Sequence, residues 1–233
     1  MMTLEGKTAV VTGASSGIGK VVAARLAAEG ANVILAARSI EKLTELEEQI
    51  NGAGGGEAIA VATDMTDRKS VESMAAKAKE AYGAVDIIVN NAGQMLSGTV
   101  RSGKTEEWES MIDVNIKGVL YGIHSVLPGM IERGSGHLIN IDSVSGHEVT
   151  KTSTVYSATK FAVRAISMGL EKELARTGVR VTNISPGMVD TPLMGSRSVD
   201  RKILDPENIA QAIVYAVTQP AHVNVNEITI RPV

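Results

Sequence analysis

Tyr156 and Lys160 stand four residues apart in a segment of helical period, Tyr156–Arg176, so both side chains leave one helix face. A phenol beside an ammonium is an acid–base pair. Free tyrosine titrates at about 10, and a nearby positive charge favours its phenolate. Such a pair can exchange a proton with an oxygen whose charge changes during a reaction. The Tyr-x-x-x-Lys spacing alone is common, and most such pairs face solvent. Here it follows Ser143 by thirteen residues, and that serine stands just beyond a strand-like run, His137–Ile141. Asn115, within Asp113-Val114-Asn115-Ile116-Lys117-Gly118, offers an amide from the preceding helical segment.

A second set of residues suits binding. Thr12-Gly13-Ala14-Ser15-Ser16-Gly17-Ile18-Gly19 lies between a first strand and a first helix. Glycines there permit tight turns and bring backbone N–H groups close to a pyrophosphate, and a helix N-terminus adds partial positive charge. His124, His137, His147 and His222 show no paired metal-ligand spacing, so no metal is expected.

The elements that must position these groups alternate along the chain. Strand-like runs are Lys7–Thr12, Asn32–Ala36, Glu57–Thr63, Val85–Asn90, His137–Ile141, Arg180–Ile184 and Asn226–Ile230. Segments of helical period separate them: Gly17–Glu29, Ile40–Ile50, Asp67–Ala81, Thr105–Arg133, Tyr156–Arg176 and Glu207–Val217. Runs such as Val85-Asp86-Ile87-Ile88-Val89 fit strands of a parallel sheet covered on both faces. The order predicts an α/β, doubly wound Rossmann fold with about seven parallel strands and helices on both faces. Gly52–Gly56 reads as a flexible turn. No repeat or linker divides the chain, so residues 1–233 are expected to form a single domain.

Composition sets the outer limits. The 233 residues are 44% hydrophobic and 21% charged, the balance of a globular protein. A formal net charge of −3 gives no general attraction to nucleic acid. There are no cysteines, which removes disulfides and thiolate chemistry and suits a reducing compartment. The N-terminus carries no signal-peptide pattern, and no apolar run reaches membrane-spanning length. A cytoplasmic protein without a membrane partner is expected.

The spacing Thr-Gly-x-x-x-Gly-x-Gly, together with Asn115, Ser143, Tyr156 and Lys160, resembles the short-chain dehydrogenase/reductase family over nearly the whole chain. The resemblance implies hydride transfer between a nicotinamide cofactor and a small carbonyl or alcohol. Tyr156 would be the acid/base and Lys160 would tune it and hold the nicotinamide ribose. Ser143 would hold the substrate oxygen, and Asn115 would position water in a proton relay. Gly13, Ser15, Ser16, Gly17, Ile18 and Gly19 would cradle the phosphates. Asp64 would contact adenine, with a helix-capping role as its alternative. Asn91, Ala92 and Gly93, in the Asn90-Asn91-Ala92-Gly93 turn, would brace the sheet and line the adenosine side. Pro186, Gly187, Val189 and Thr191 would form the nicotinamide wall, and 188–203 a substrate lid.

Where relatives using NAD carry an acid after the second strand, this chain has Ala36-Ala37-Arg38-Ser39. A guanidinium binds a 2′-phosphate that a carboxylate would repel, so Arg38 and Ser39 select NADP(H); a solvated loop charge is the alternative for Arg38. Two features depart from the pattern. Asp142 stands where relatives often have serine, and it either changes the site's electrostatics or caps the strand. The ending Asn224–Val233 lacks the common Val-Asp-Gly-Gly turn and is similar to a subgroup of serine and 3-hydroxy-acid dehydrogenases and broad carbonyl reductases. The substrate is therefore a small 3-hydroxy acid or a neutral carbonyl. Gln94, Met95, His147, Val149 and Met188 are pocket candidates, and Arg197, Arg201 and Lys202 are cations for a carboxylate. A non-catalytic NADP(H)-binding sensor is the rival from another class. The small-residue stripe Ala158, Ala162, Ala165 and Gly169 points to a homodimer or homotetramer through the two long helices before and after the fifth strand, or else to packing on the chain's own sheet.

Overall fold

The computed structural model describes residues 3–194 and 202–233. Seven strands form one parallel sheet: β1 (Thr8–Thr12), β2 (Asn32–Ala37), β3 (Ala58–Ala62), β4 (Ile87–Asn90), β5 (Gly136–Ile141), β6 (Val179–Pro186) and β7 (Glu227–Ile230). Their spatial order is β3-β2-β1-β4-β5-β6-β7, so the chain reverses its direction of winding between β1 and β4. In such sheets ligands bind at that reversal, beyond the strands' carboxyl ends. The doubly wound architecture read from the sequence is the observed one.

The apolar strand runs serve two cores. Ala9, Val11, Val33, Leu35, Ile87 and Val89 face one side, while Val10, Ile34 and Ile88 between them face the other. The first face is covered by α1 (Gly17–Ala28), α2 (Ile40–Ala53) and α7 (Pro206–Val217), through Val22, Leu26, Leu43, Ile50, Ile209 and Ile213. The second is covered by α3 (Arg68–Tyr82), α5 (Gly118–Arg133) and α6 (Thr154–Glu173), through Val71, Met74, Val119, Ile123, Met130 and Val163. Burial of both faces explains why these strands do not alternate apolar with polar residues.

Two sequence expectations change. The helical segment Thr105–Arg133 is three pieces: α4 (Thr105–Ile112), a π-helical turn over Asp113–Lys117, and α5. The widened turn carries Asn115, and such turns recur where a helix must re-aim a side chain. Gly118 follows it because a Cβ there would meet the Met65 carbonyl oxygen at 3.1 Å. Gly52–Gly56 is also more than a flexible turn. Gly56 is buried, its N–H donates to the Ala27 carbonyl at 2.9 Å, and a Cβ would lie 1.8 Å from the Ala31 carbonyl oxygen. The glycine there lets the α2–β3 connection pass directly against the end of α1. No helix of the described residues is long and apolar enough to cross a membrane.

Candidate active site

Two adjoining cavities occupy the carboxyl edge of the sheet, at the reversal point. The first, about 410 Å³, is lined by Gly13, Ser15–Ile18, Ala37–Ser39, Thr63–Met65 and Asn91–Gln94. The second, about 450 Å³, contains Ser143, Tyr156, Lys160 and Pro186–Val189. Ile18, Asn91, Gly93, Gln94, Thr191 and Leu193 line both, so the two form one cleft.

At the first end the chain's backbone does most of the shaping. Gly13 and Gly17 adopt positive φ of 67° and 54°, which glycine tolerates and other residues resist. Gly19 does not line the cavity. Its hydrogen faces Gly13, and a Cβ would stand 2.4 Å from that residue's carbonyl oxygen, so its role is to let α1 approach β1. Ser16 begins α1 without a side-chain cap, leaving the helix's first N–H groups directed at the cavity. The Thr12 hydroxyl accepts from the N–H groups of Asn91 and Ala92, both at 3.0 Å, and ties the turn after β4 to β1. Arg38 is exposed at the rim beside Ser39. Asp64 lines the same cavity and accepts from the Thr66 N–H and hydroxyl, which hold its carboxyl below the usual value, with the Arg38 charge assisting. Asp67, not Asp64, caps α3.

At the second end the groups are side chains. Tyr156 and Lys160 share the buried face of α6, and the Lys160 ammonium lies 5.9 Å from the Tyr156 ring centre. Lys160 Nζ donates to the Ile141 carbonyl at 2.7 Å. Burial pushes the Tyr156 phenol up to about 12 against a hydrogen bond with Ser143, and the Asp142 charge adds to the rise. Burial pushes Lys160 down to about 8, with Asp142 working the other way. The lowering of Tyr156 by Lys160 that the sequence suggested is not seen in the protein alone, where burial sets the direction and the opposing cause is the Ser143 hydrogen bond.

Asn115 stands behind the cavity. It accepts from the Gln94 N–H at 2.9 Å and donates to the Gln94 carbonyl at 2.9 Å and the Thr159 hydroxyl at 3.0 Å. Both polar atoms are used in fixing the loop after β4 to α6. Pro186, Gly187 and Val189 form one wall, where Gly187 donates to Ile230 at 2.7 Å and Val189 bridges to Leu204. Thr191 stands between the two cavities.

Several groups fall elsewhere than the sequence implied. Gln94, Met95 and Met188 line the second cavity, but His147 and Val149 do not. Val149 is exposed, and His147 pairs with Glu227 at 2.8 Å. Of the proposed lid, residues 195–201 lie outside the described residues, and with them Arg197 and Arg201. Lys202 is exposed and does not line the cavity. Among the described residues Arg231 does, besides Lys160, and it is joined to Glu148 at 3.0 Å at the cavity's edge. Sequence reading missed it because Arg231 lies seventy-one residues from Lys160, in a tail with no motif of its own. It also missed a buried polar ladder across the sheet. Asn90 donates to Asn140 at 2.9 Å, Asn140 to Ser167 at 2.9 Å, and Ser167 to Asn183 at 3.3 Å. Polar residues inside otherwise apolar strands were its only signal.

A parallel sheet wound in this order, with this cleft at its reversal point, is a Rossmann-like architecture with a site of the kind that binds nucleotides. The chain matches the short chain dehydrogenase family over residues 7–202 and belongs to it. It is 55% identical, over all of both chains, to an uncharacterized oxidoreductase of Staphylococcus aureus, and 54% identical, again end to end, to one of Staphylococcus saprophyticus. The closed form of a serine dehydrogenase complexed with NADP+ matches with a TM-score of 0.91 at 36% identity, covering 97% of this chain and 94% of that one. An alcohol dehydrogenase from the archaeon Thermococcus sibiricus, complexed with 5-hydroxy-NADP, matches at 0.90 and 32% identity, covering 97% and 96%.

Proposed function

We propose that this protein is an NADP(H)-dependent oxidoreductase that interconverts a small carbonyl compound and its alcohol, with Tyr156 as acid/base. The observation that carries the reading is the continuity of the cleft: Ser143, Tyr156 and Lys160 share one cavity, which opens into the glycine-turn cavity. The residues fit the cofactor. An uncapped helix N-terminus suits a diphosphate, and the absence of a carboxylate at Ala37, with Arg38 and Ser39 beside it, suits a 2′-phosphate. NADP-bound relatives add support. When bound, the cofactor supplies or accepts the hydride.

The chain's own residues then have distinct tasks. Ser143 holds the substrate oxygen and Tyr156 gives it a proton during reduction, or takes one during oxidation. Burial favours the protonated phenol, the form that donates during reduction. Lys160 binds ribose hydroxyls and carries the positive charge; with its value near 8, that charge is lost as pH rises through this region. Asn115 holds the Gln94 loop, where a water relay to Lys160 would begin. A sensor without catalysis gains no support from a cavity that retains all three reactive groups.

For substrate class, a 3-hydroxy or 3-keto acid is favoured by Arg231, which offers a guanidinium at the cavity edge, and by the serine dehydrogenase likeness. We also assign a homo-oligomeric interface to α6. Ala158, Ala162, Ala165 and Gly169 are all unburied in the single chain, and Phe161 and Met168 beside them are 41% and 48% exposed. The helix packs on its own sheet through Val163, Ser167 and Leu170 instead. The test of the whole reading is oxidation of NADPH and NADH by purified protein against ketones, aldehydes and 3-keto acids, with hydroxy acids and NADP+ in reverse. No turnover with any pair would defeat it.

A further inference from the structure

Asp142 is 3% exposed, yet it lies between β5 and the reactive Ser143. Its Oδ2 accepts from Asn183 Nδ2 at 3.3 Å and from the Ser185 hydroxyl at 3.2 Å. Its Oδ1 has no hydrogen-bond partner among the described residues. Gly146 closes over it: a Cβ there would stand 2.4 Å from Oδ2. Burial pushes this carboxyl above its usual range, against the Lys160 charge and hydrogen bonds from Asn183, the Ser143 N–H and Ser185. A carboxylate sealed in this way is costly to bury unless an opposite charge compensates it. Lys160 is the compensating charge. Its ammonium is itself buried, is anchored on the carbonyl of Ile141, the residue before Asp142, and interacts electrostatically with this carboxylate.

We propose that Asp142 is the buried counter-ion of Lys160 and a positioning residue for the Tyr156–Lys160 pair, setting the pH window in which that pair works. This rests on the proposed catalytic roles of Tyr156 and Lys160. Strand capping does not account for the carboxylate, because the backbone already makes the bond that ends the strand: the Asp142 N–H donates to Ile184 at 2.7 Å. The other ionisable groups near it are few. Tyr156 and Lys160 face it from α6, while His147 and Glu227 reach it only through Ser185, whose hydroxyl lies 3.2 Å and 3.5 Å from them. Glu227 is in turn paired with Arg164 at 3.4 Å.

The sign of the effect is fixed by charge. Negative charge at Asp142 favours the Lys160 ammonium and disfavours the Tyr156 phenolate, so it raises both titrations. Removing it lowers both. A neutral residue of similar shape therefore moves the whole pH–rate profile toward acid, which a packing defect would not do.

The test compares pH profiles of kcat for the parent, D142N and S185A, with the ionisation of Tyr156 followed by NMR of 13C-labelled tyrosine. The chain has four tyrosines, and Y156F assigns the resonance. D142N should shift both limbs acidward by about one pH unit, the lower range for a nearby charge, and Tyr156 should begin to titrate at lower pH. S185A, which keeps the charge and removes one bond, should leave the profile in place. If D142N does not fold, D142S gives the same readings. A profile in D142N or D142S that superimposes on the parent's overturns the proposal, however slow the enzyme. An active Y156F would instead overturn the catalytic reading on which it rests.

Discussion

The two ends of the cleft are built by different means. The nucleotide end consists of turns: Gly13 and Gly17 at positive φ, Gly19 pressed against Gly13, and Thr12 holding the N–H groups of Asn91 and Ala92. Its lining joins these turns to polar side chains such as Arg38, Ser39 and Asp64. The catalytic end is made of side chains from α6, the β5 and β6 ends and the C-terminal tail. Among them Asp142, Tyr156 and Lys160 are buried and ionisable, the phenol and the ammonium pushed in opposite directions by burial. Backbone donors have no titration to tune. The reactive end does, and neighbours such as Asp142 act on it through charge. On the roles proposed above, backbone turns and the Arg38 charge hold the nucleotide while buried titrating groups handle the proton, so substitutions at the two ends should fail differently.

The largest separable effect is expected at the nucleotide end. Arg38→Ala should reduce the preference for NADPH over NADH roughly ten- to hundredfold, the loss of one charged hydrogen bond of about 1.5–3 kcal/mol. Turnover at saturating cofactor should change little. Fluorescence titration with both cofactors checks it, and an unchanged preference would remove Arg38 from the 2′-phosphate site.

Ala162→Glu reaches the catalytic end from outside. Burying an unpaired carboxylate between copies costs a few kcal/mol, so assembly should weaken and activity fall with it. Light scattering paired with assays across protein concentration reads both. A parent protein that is a fully active monomer at working concentration would rule the interface out.

Arg231→Met should have the smallest effect. It removes one partly exposed cation, so kcat/KM for 3-keto or 3-hydroxy acids should drop about tenfold, a single exposed charged contact, while neutral carbonyls are spared. Equal losses on both classes would show that Arg231 shapes the cavity without reading a carboxylate.

The same contrast explains what the sequence disclosed. The glycine turn, Asn91–Gly93 and the Tyr156–Lys160 pair are local patterns with fixed spacing, and each lies in the cleft or directly braces it. The doubly wound parallel class followed from strand–helix alternation and from apolar runs that serve two cores, as Val10 and Val11 do; the strand order did not. Long-range pairings were not legible. Nothing local links Arg231 to Glu148, Asp142 to Ser185, or Asn115 to the Gln94 loop. The π-helical turn was hidden because it spans only Asp113–Lys117 between two segments that each keep helical period, too short a stretch to show its own. Gly56 looked like loop composition, although the Ala31 carbonyl leaves no room there for a side chain.

In the proposed reading, one end of the cleft holds the nucleotide while Tyr156 at the other end handles the proton. Tyr156→Phe tests it most directly, because it removes a hydroxyl and almost no volume. NADPH affinity should stay within about twofold of the parent, while turnover on a verified substrate falls by at least about a hundredfold, the lower range for a lost general acid. Near-parental turnover, or a loss of NADPH binding that accounts for the lost activity, would contradict the account.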